Sequence, residues 1–322
     1  MATEQKIKML AVVGPTASGK TSVSIELARR LDGEIVSCDS MQVYRRMNIG
    51  TAKPTEAEKC GVPHHLIDVV EPDAPFSCAE YVTMATNAAK DISARGKLPV
   101  FCGGTGLYLD RFLCGEMEET HADEDLRTSL LAFAEKEGVD ALHDRLRAVD
   151  PESAEAIHKN NVKRVVRALE IYEQTGIPKS EFDRRSRVND SPYDAFVVGV
   201  HYPNREVLYE RINRRVDIML DDGLLEETKQ LKDEGVFEVN LTAAQAIGYK
   251  ELLGYLAGVE TLSEATENLK TATRRYAKRQ LTWFSAKPYV VWVEMEKDGV
   301  LRSLDDICDE IVSRFQNREG SV

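Results

Sequence analysis

The sequence has no apolar stretch long enough to cross a membrane. Its longest uncharged run, residues 98–109, falls well short of the roughly 20 residues that a membrane-spanning helix needs. The apolar run near the N-terminus, residues 9–13, is also too short for a signal peptide. We therefore expect a cytoplasmic protein that makes no membrane contact.

Paired cysteines and an excess of positive charge are missing as well. The 6 cysteines form no C-x-x-C pair, which argues against a zinc site or a disulfide framework and favours reduced thiols. The 42 Lys and Arg residues are outnumbered by 54 Asp and Glu residues, so the net charge is −12. This balance excludes a uniformly basic nucleic-acid-binding surface but not a local basic patch.

The order of predicted elements indicates an α/β fold with a mostly parallel sheet. Five short runs rich in Val, Ile, Leu and Phe lack the alternation of a half-exposed strand, and helical stretches separate them. These runs are residues 8–13, 34–38, 98–102, 195–200 and 289–293. We predict a core built from residues 1–115 and 195–322, with an all-helical insertion at residues 116–194, where no strand signal occurs.

The segment after the first predicted strand fits the phosphate-loop pattern G-x-x-x-x-G-K-[ST]. Its residues are Gly14, Pro15, Thr16, Ala17, Ser18, Gly19, Lys20 and Thr21. Apolar residues Val23, Leu27 and Leu31 predict a helix directly after it, which completes the strand–loop–helix context of the motif. In such a loop, backbone N–H groups and the lysine bind phosphate oxygens, and the Thr21 hydroxyl can ligate Mg²⁺.

The aspartate that a nucleotide hydrolase places after a second strand is not evident. Residues 98–102 are followed by Gly103 and Gly104 instead. Asp39 follows the second predicted strand, at the edge where open α/β sheets bind ligands, and could accept a proton or help hold a metal ion. Thr105 lies in a glycine-rich turn at the same edge. The loop therefore predicts diphosphate binding without predicting hydrolysis.

Two sets of basic residues each allow two interpretations. Arg215 borders the apolar face of a helix predicted over residues 208–220, where it would pair with either a carboxylate or a bound phosphate. Six bases and no acid lie at residues 270–287, interleaved with Tyr276 and Trp283. This run predicts either an RNA-binding helix or a solvated face around buried aromatic residues.

His64 and His65 are adjacent and could ligate a metal ion. Because no further His or Cys lies at a suitable spacing, structural roles are favoured.

Eight ordered blocks resemble those of the tRNA dimethylallyltransferases, also called tRNA isopentenyltransferases or the IPP transferase family. The blocks are GPTASGKT from residue 14, DSMQVYR from 39, IGTAKP from 49, VPHHLID from 62, GGTGLY from 103, NNVKRVVRALEIYEQTG from 160, QAIGYKE from 245 and YAKRQLTWF from 276. They extend over nearly the whole chain. The zinc-finger extension of eukaryotic members is not present in the sequence, so we expect the bacterial type.

The resemblance implies a P-loop NTPase-like core and a prenyl transfer reaction. The dimethylallyl group would pass from dimethylallyl diphosphate to the exocyclic N6 amine of the adenine just 3′ of the anticodon in certain tRNAs. By matching motif, residues 14–21 hold the donor diphosphate with Mg²⁺, and Lys20 and Arg215 steady the departing diphosphate. Asp39 accepts the amine proton, and Thr105 contacts the flipped nucleotide. The resemblance implies a monomer that acts on the tRNA anticodon stem-loop.

The family blocks also imply a surface that contacts tRNA. Its expected members are Asp39, Ser40, Met41, Gln42, Thr105, Arg127, Lys163, Arg164, Val165, Val166, Arg167, Gln245, Ala246, Ile247, Gly248, Tyr249, Lys250, Lys278, Arg279, Gln280, Leu281, Thr282, Trp283, Phe284 and Ser285. Two positions depart from the family pattern, because Asn48 and Asn161 stand where many members carry aspartate.

Two other functions fit parts of the sequence. A P-loop small-molecule kinase would share the phosphate loop and an acidic residue after the second strand, but it would leave the basic run at residues 270–287 unexplained. An RNA-binding regulator that uses the loop as a nucleotide switch would form no covalent product. ATP consumption would favour the first function, and RNA binding unaffected by loss of Asp39 would favour the second.

Overall fold

A computed structural model of the chain describes residues 6–114, 123–185 and 191–318. Contacts divide the chain into two units. The first, here called the core unit, comprises Met1–Leu113 and Pro192–Val322, and the second, the helical unit, comprises Cys114–Ser191. The expected start of the insertion, residue 116, lies outside the described residues.

The strands of the core unit form a parallel sheet and a small hairpin. They are β1 (Ile7–Val13), β2 (Gly33–Cys38), β3 (His64–His65), β4 (Leu98–Gly103), β5 (Tyr193–His201), β6 (Val290–Glu294), β7 (Glu296–Lys297) and β8 (Val300–Leu301). In the described part of the chain, six strands pair in the order β3-β2-β4-β1-β5-β6, every pair parallel. Strands β7 and β8 form the antiparallel hairpin.

All five predicted strands are confirmed, with ends that differ by at most two residues. Both faces of the sheet are covered, which explains the missing alternation in the sequence. In β1, Leu10 and Val12 join one buried cluster, whereas Met9 and Ala11 join another on the opposite face. The two-residue strand β3 escaped the sequence analysis because so short a run carries no pattern of its own.

Helices surround this sheet, and the described ones of the core unit have the following bounds. They are α1 (Lys20–Arg30), α2 (Glu56–Lys59), α3 (Cys78–Ala94), α4 (Gly106–Cys114, whose last residue falls in the helical unit), α10 (Arg205–Asp221), α11 (Leu224–Asp233), α12 (Val236–Val239), α13 (Lys250–Leu256), α14 (Leu262–Ser285) and α15 (Leu304–Asn317), with a 3-10 helix at Ala243–Gln245. Among the described residues, no helix is both long and apolar enough to span a membrane.

The helical unit has its own apolar core. Its described helices are α5 (Glu124–Glu137), α6 (Val139–Val149), α7 (Pro151–Ala156), α8 (Val162–Thr175) and α9 (Lys179–Arg185). Leu130, Leu142, Leu146, Val165 and Leu169 are nearly inaccessible to solvent and pack together. The strand pattern resumes slightly before the predicted residue 195, because Tyr193 pairs with Ile7 in the sheet.

Candidate active site

The phosphate loop lies between β1 and α1, as the motif requires. Gly14 is needed for close packing, since a Cβ there would lie 2.5 Å from the Val200 carbonyl oxygen of β5. Gly19 precedes α1 with φ 89°, a conformation that favours glycine. Residues 14–21 thus bring backbone N–H groups to the start of a helix, whose dipole attracts anions.

Four cations of the core unit line one cavity of about 290 Å³, and two of them are partly buried. These two are Lys20, at the start of α1, and Arg215, on α10. Burial lowers the pKa of Lys20, and the nearby Arg215 charge lowers it further, while Cys102 and Asp39 act in the opposite direction. Burial also lowers the pKa of Arg215. Arg215 forms no ion pair with any residue that the structure describes, which leaves its guanidinium available for a bound phosphate.

Asp39 lines the same cavity from the carboxyl end of β2. Its Oδ1 accepts the backbone N–H of Met41 at 2.9 Å and that of Gln42 at 3.4 Å. Its Oδ2 has no hydrogen bond to a residue in the described ranges. One carboxylate oxygen is therefore fixed by the local turn, and the other can take part in chemistry.

Thr105 supports this turn and does not line the cavity. Its Oγ1 accepts the N–H of Ser40 at 3.0 Å, and its own N–H donates to the Cys38 carbonyl at 3.2 Å. Gly103 permits the close approach, because a Cβ there would lie 1.9 Å from that carbonyl oxygen. Thr105 therefore holds the Asp39 turn in place, a role that the sequence analysis did not assign to it.

Gln280 on α14 connects the phosphate loop to the glycine-rich turn after β4. Its Oε1 accepts the N–H of Thr16 at 2.8 Å, and its Nε2 donates to the Gly104 carbonyl at 3.1 Å. The residue is only 5% exposed, so little of its side chain is left for a partner. Arg211 also holds the phosphate loop in place, because its Nε donates a hydrogen bond to the Ala17 carbonyl at 3.0 Å.

A second wall of the cavity comes from two distant segments, which contribute Gly50, Thr51 and Ala52, and Gln245, Ala246, Ile247, Gly248 and Lys250. From α14, Tyr276 and Arg279 also line the cavity. Glu227, which the sequence analysis missed, contacts both segments. The helical spacing of α11 could have pointed to this residue, because Glu227 lies on the same helix face as the buried residues Leu224, Thr228 and Leu231.

The structure separates the expected tRNA-contacting residues into exposed and buried ones. Exposed side chains are Lys163, Arg164, Gln245, Lys250, Lys278, Arg279, Thr282, Trp283 and Ser285. Buried side chains are Val165, Val166, Ala246, Tyr249, Gln280 and Phe284. The two valines belong to the core of the helical unit, and the contact of block 163–167 with tRNA stays a prediction. Ser40, Met41, Gln42, Ile247 and Leu281 are partly buried.

Arg127 and Arg167 are engaged within the helical unit. The Glu170 carboxylate is completely buried and accepts the Arg127 Nε at 2.8 Å and an Arg167 nitrogen at 3.2 Å. This hydrogen bond with Glu170 raises the pKa of Arg127. Arg127 therefore joins α5 to α8, whereas the ion pair of Arg167 with Glu170 lies within α8.

Two members of the basic run on α14 contact side chains of α10, but only one of these partners is a carboxylate. Lys270 forms an ion pair with Asp217 at 2.7 Å, and Arg274 donates to the Asn213 side chain at 2.5 Å. Both partners lie on α10. Arg275 and Lys278 remain exposed, so the solvent-facing charge of α14 is narrower than the sequence suggests.

The chemistry of the residues present fits a magnesium ion. The Thr21 hydroxyl and the Asp39 carboxylate line the same cavity, and both are oxygen ligands. The described residues contain no group of three or more His, Cys, Asp and Glu side chains that could hold a metal ion alone. His65 is engaged otherwise, because its Nε2 contacts the Glu34 carboxylate at 2.8 Å.

Comparisons with known proteins agree on one family. The sequence pattern of the family described as "IPP transferase" matches residues 42–287, and that described as "Isopentenyl transferase" matches residues 7–68. A tRNA dimethylallyltransferase of Halalkalibacterium halodurans is 48% identical over 314 residues, which cover 97% of this chain and 99% of the relative. One from Caldanaerobacter subterraneus is 46% identical over 288 residues, 89% of this chain and 91% of the relative.

Solved structures give the same result. The tRNA isopentenylpyrophosphate transferase from Bacillus halodurans matches with a TM-score of 0.71 and 46% identity, covering 98% of this chain and 99% of that one. A eukaryotic dimethylallyltransferase acting on tRNA matches with a TM-score of 0.80 and 30% identity, covering 98% and 79%. Because the first family pattern spans most of the chain and the similarity to these relatives is nearly end to end, the chain belongs to the IPP transferase family.

Proposed function

We propose that this protein transfers the dimethylallyl group from dimethylallyl diphosphate to the N6 amine of the adenine just 3′ of the anticodon in tRNA. One observation carries the proposal: Lys20, Thr21, Asp39 and Arg215 line a single cavity. Two cations, a hydroxyl and a carboxylate in one place suit a reaction that releases diphosphate and a proton. The named relatives act on tRNA, which supports the acceptor.

The diphosphate end of the donor binds at the phosphate loop. When the allylic C–O bond breaks, positive charge grows on carbon and negative charge grows on the diphosphate. Lys20 and Arg215 stabilise the departing anion, because fixed charges in a cavity need no reorganisation during the reaction. The Thr21 hydroxyl would hold a magnesium ion, which would supply further charge stabilisation when bound.

Asp39 accepts the proton that the adenine amine loses. The N–H groups of Met41 and Gln42 hold one carboxylate oxygen, which fixes the direction of the other. The adenine must leave the stack of the anticodon loop to reach the cavity, at a cost of a few kcal/mol that is smaller in a loop than in a duplex.

The acceptor RNA binds to exposed basic side chains of the protein. On the core unit these are Lys250, Arg275, Lys278 and Arg279, and on the helical unit Lys163 and Arg164. On each unit, a local basic set of this kind allows an acidic protein to bind a polyanion. We expect the protein to work as a monomer in the cytoplasm.

The direct test mixes the protein with unmodified tRNA, Mg²⁺ and labelled dimethylallyl diphosphate, without ATP. Label in the RNA, located at the adenine 3′ of the anticodon, would support the proposal. With folding verified and several tRNAs tried, absence of transfer would refute it, and ATP-dependent kinase assays would follow. Binding of RNA without any covalent product would favour the regulator described above.

A further inference from the structure

The Glu227 carboxylate gathers four hydrogen-bond donors from two segments that are distant in sequence. It accepts the backbone N–H groups of Asn48 and Ile49 at 3.0 Å and that of Gly50 at 3.1 Å. It also accepts the Tyr249 hydroxyl at 2.7 Å. Tyr249 is completely buried, and burial together with the Glu227 charge raises its pKa. The phenol therefore stays a donor at any physiological pH.

These two segments meet at the cavity wall without spare room. A Cβ on Gly50 would lie 2.5 Å from the Tyr249 ring, and a Cβ on Gly248 would lie 3.2 Å from the Gly50 carbonyl oxygen. Gly248 also has φ +111°, which favours glycine. Both glycines line the cavity. A shift of either segment therefore changes the width of the cavity.

The wall is connected to the Asp39 turn through one side chain. The Gln42 Nε2 donates to the Thr51 carbonyl at 3.1 Å and to the Ala52 carbonyl at 3.2 Å. The Gln42 backbone N–H lies 3.4 Å from Asp39 Oδ1. A continuous set of contacts thus runs from Glu227 through residues 48–52 and Gln42 to Asp39.

We infer that Glu227 is a positioning residue for the transfer reaction. It fixes residues 48–52 and, through Gln42, the Asp39 carboxylate. The inference rests on the proposed function. The phosphate loop is braced separately by Gln280 and Arg211, so Glu227 acts on the acceptor side of the chemistry more than on diphosphate binding.

The chemistry of the site requires a carboxylate. Four converging donors need an acceptor with several lone pairs and no hydrogens, which an ionised glutamate provides. Glutamine has the same shape, but its NH₂ group would face at least one of these donors. Glu227→Gln therefore disturbs the wall without changing the volume of the side chain.

The test measures steady-state prenyl transfer by Glu227→Gln, with Glu226→Gln as the matched control. Glu226 is the exposed neighbour on α11, so its replacement removes the same charge. We expect Glu227→Gln to lower kcat by about 10- to 100-fold while the KM for the donor changes by less than about threefold. Glu226→Gln should match the unsubstituted protein. A raised donor KM with unchanged kcat would overturn the inference.

Two further variants separate positioning from loss of folding. Tyr249→Phe removes one of the four donors and should lower kcat by a smaller factor, about two- to tenfold, again without raising the donor KM. Gln42→Ala combined with Glu227→Gln should cost less than the product of the separate effects, because both act on one chain of contacts. Fully multiplicative effects, or unchanged kcat in Tyr249→Phe and Glu227→Gln alike, would contradict the inference. Absence of transfer by the unsubstituted protein and by Glu226→Gln would refute the proposed function instead.

Discussion

Asp39 is the residue whose removal tests the chemistry most directly. Asp39→Asn keeps an oxygen for the Met41 N–H but cannot take up a proton at the pH of the assay. We expect turnover to fall on the order of 10²-fold or more, by the usual magnitude of general-base catalysis, with tRNA binding nearly unchanged. Single-turnover transfer and a separate tRNA-binding titration measure the two effects. Unchanged single-turnover rates would remove Asp39 from the mechanism.

The structure shows the surroundings of Asn48, where the family resemblance leads us to expect aspartate. Its Oδ1 accepts the Lys53 ammonium at 3.0 Å, and that ammonium also contacts Asp68 and the Tyr44 carbonyl. The Lys53 side chain is only 5% exposed, and burial lowers its pKa. An amide oxygen at position 48 thus keeps the loop hydrogen-bonded while giving less charge compensation than a carboxylate would.

Asn48→Asp should therefore stabilise the protein. A second carboxylate beside the buried ammonium makes a charge-assisted hydrogen bond, which we expect to raise the free energy of unfolding by about 1 kcal/mol. Denaturant unfolding measures this, and the same change in a Lys53→Met background is the control. A gain of equal size in both backgrounds would show that Lys53 is not its cause.

At the scale of elements, an ion-pair cluster joins β2, β3 and α3. The Glu34 carboxylate, which is 4% exposed, binds Arg95 through both oxygens and also contacts His65. The hydrogen bonds from Arg95 outweigh the effect of burial and lower the pKa of Glu34 from 4.5 to about 2. The cluster holds the edge of the sheet that carries the Asp39 turn.

This shift predicts a loss of stability in acid. Because the pKa of Glu34 is lower in the folded state, its stabilising effect is complete above pH 4.5 and is lost as the pH falls towards about 2. Glu34→Gln should be less stable at neutral pH and should show a flatter dependence on pH within this window. Unfolding at several pH values tests this, with Asp91→Asn, which changes the exposed second partner of Arg95, for comparison. Identical slopes for Glu34→Gln and the unsubstituted protein would contradict it.

The basic residues of α14 lie on two different faces of the helix. Lys270 and Arg274 contact α10, whereas Arg275 and Lys278 face solvent. Arg275→Ala and Lys278→Ala should each weaken tRNA binding and lower the salt slope of log K by about 1. Arg274→Ala should change the slope less, because its guanidinium is partly buried against Asn213 of α10. Binding titrations at several salt concentrations measure the three slopes. Equal slopes for all three variants would show that tRNA binding does not depend on the face of α14 that carries the basic residue.

At the scale of the whole molecule, each unit has a separate apolar core. A defect in the core of the helical unit should therefore leave the cavity of the core unit intact. Glu170→Gln removes the charge that both Arg127 and Arg167 contact. Since both arginines are about one-third exposed, we expect a loss of about 2 kcal/mol, below the usual 3–5 kcal/mol for breaking a fully buried pair.

Two measurements check this expectation. Chemical denaturation gives the loss of stability, and titration with a non-hydrolysable diphosphate analogue gives the affinity of the phosphate loop under native conditions. The affinity should stay unchanged. A fall in diphosphate affinity that accompanies the loss of stability would show that the helical unit supports the cavity.

Several features of this protein follow from local patterns of residues. Five strands, the phosphate loop and Asp39 at the end of β2 were readable because apolar runs and fixed-spacing motifs act over a few neighbouring residues. The family blocks likewise lie in continuous segments. Net charge excluded a uniformly basic surface but could not say which bases face solvent.

Hydrogen bonds between residues far apart in sequence could not be predicted in this way, because they form only in the folded chain. Gln280 meets Thr16 across 264 positions, and Glu227 meets Asn48 across 179. Val165 and Val166 lie in the core of the helical unit, although the family resemblance implies that their block contacts tRNA. Neighbouring residues of a helix point to different sides, so one block can have both buried and exposed side chains. Burial and pairing depend on what the fold places opposite each residue, and a local pattern carries no information about that partner.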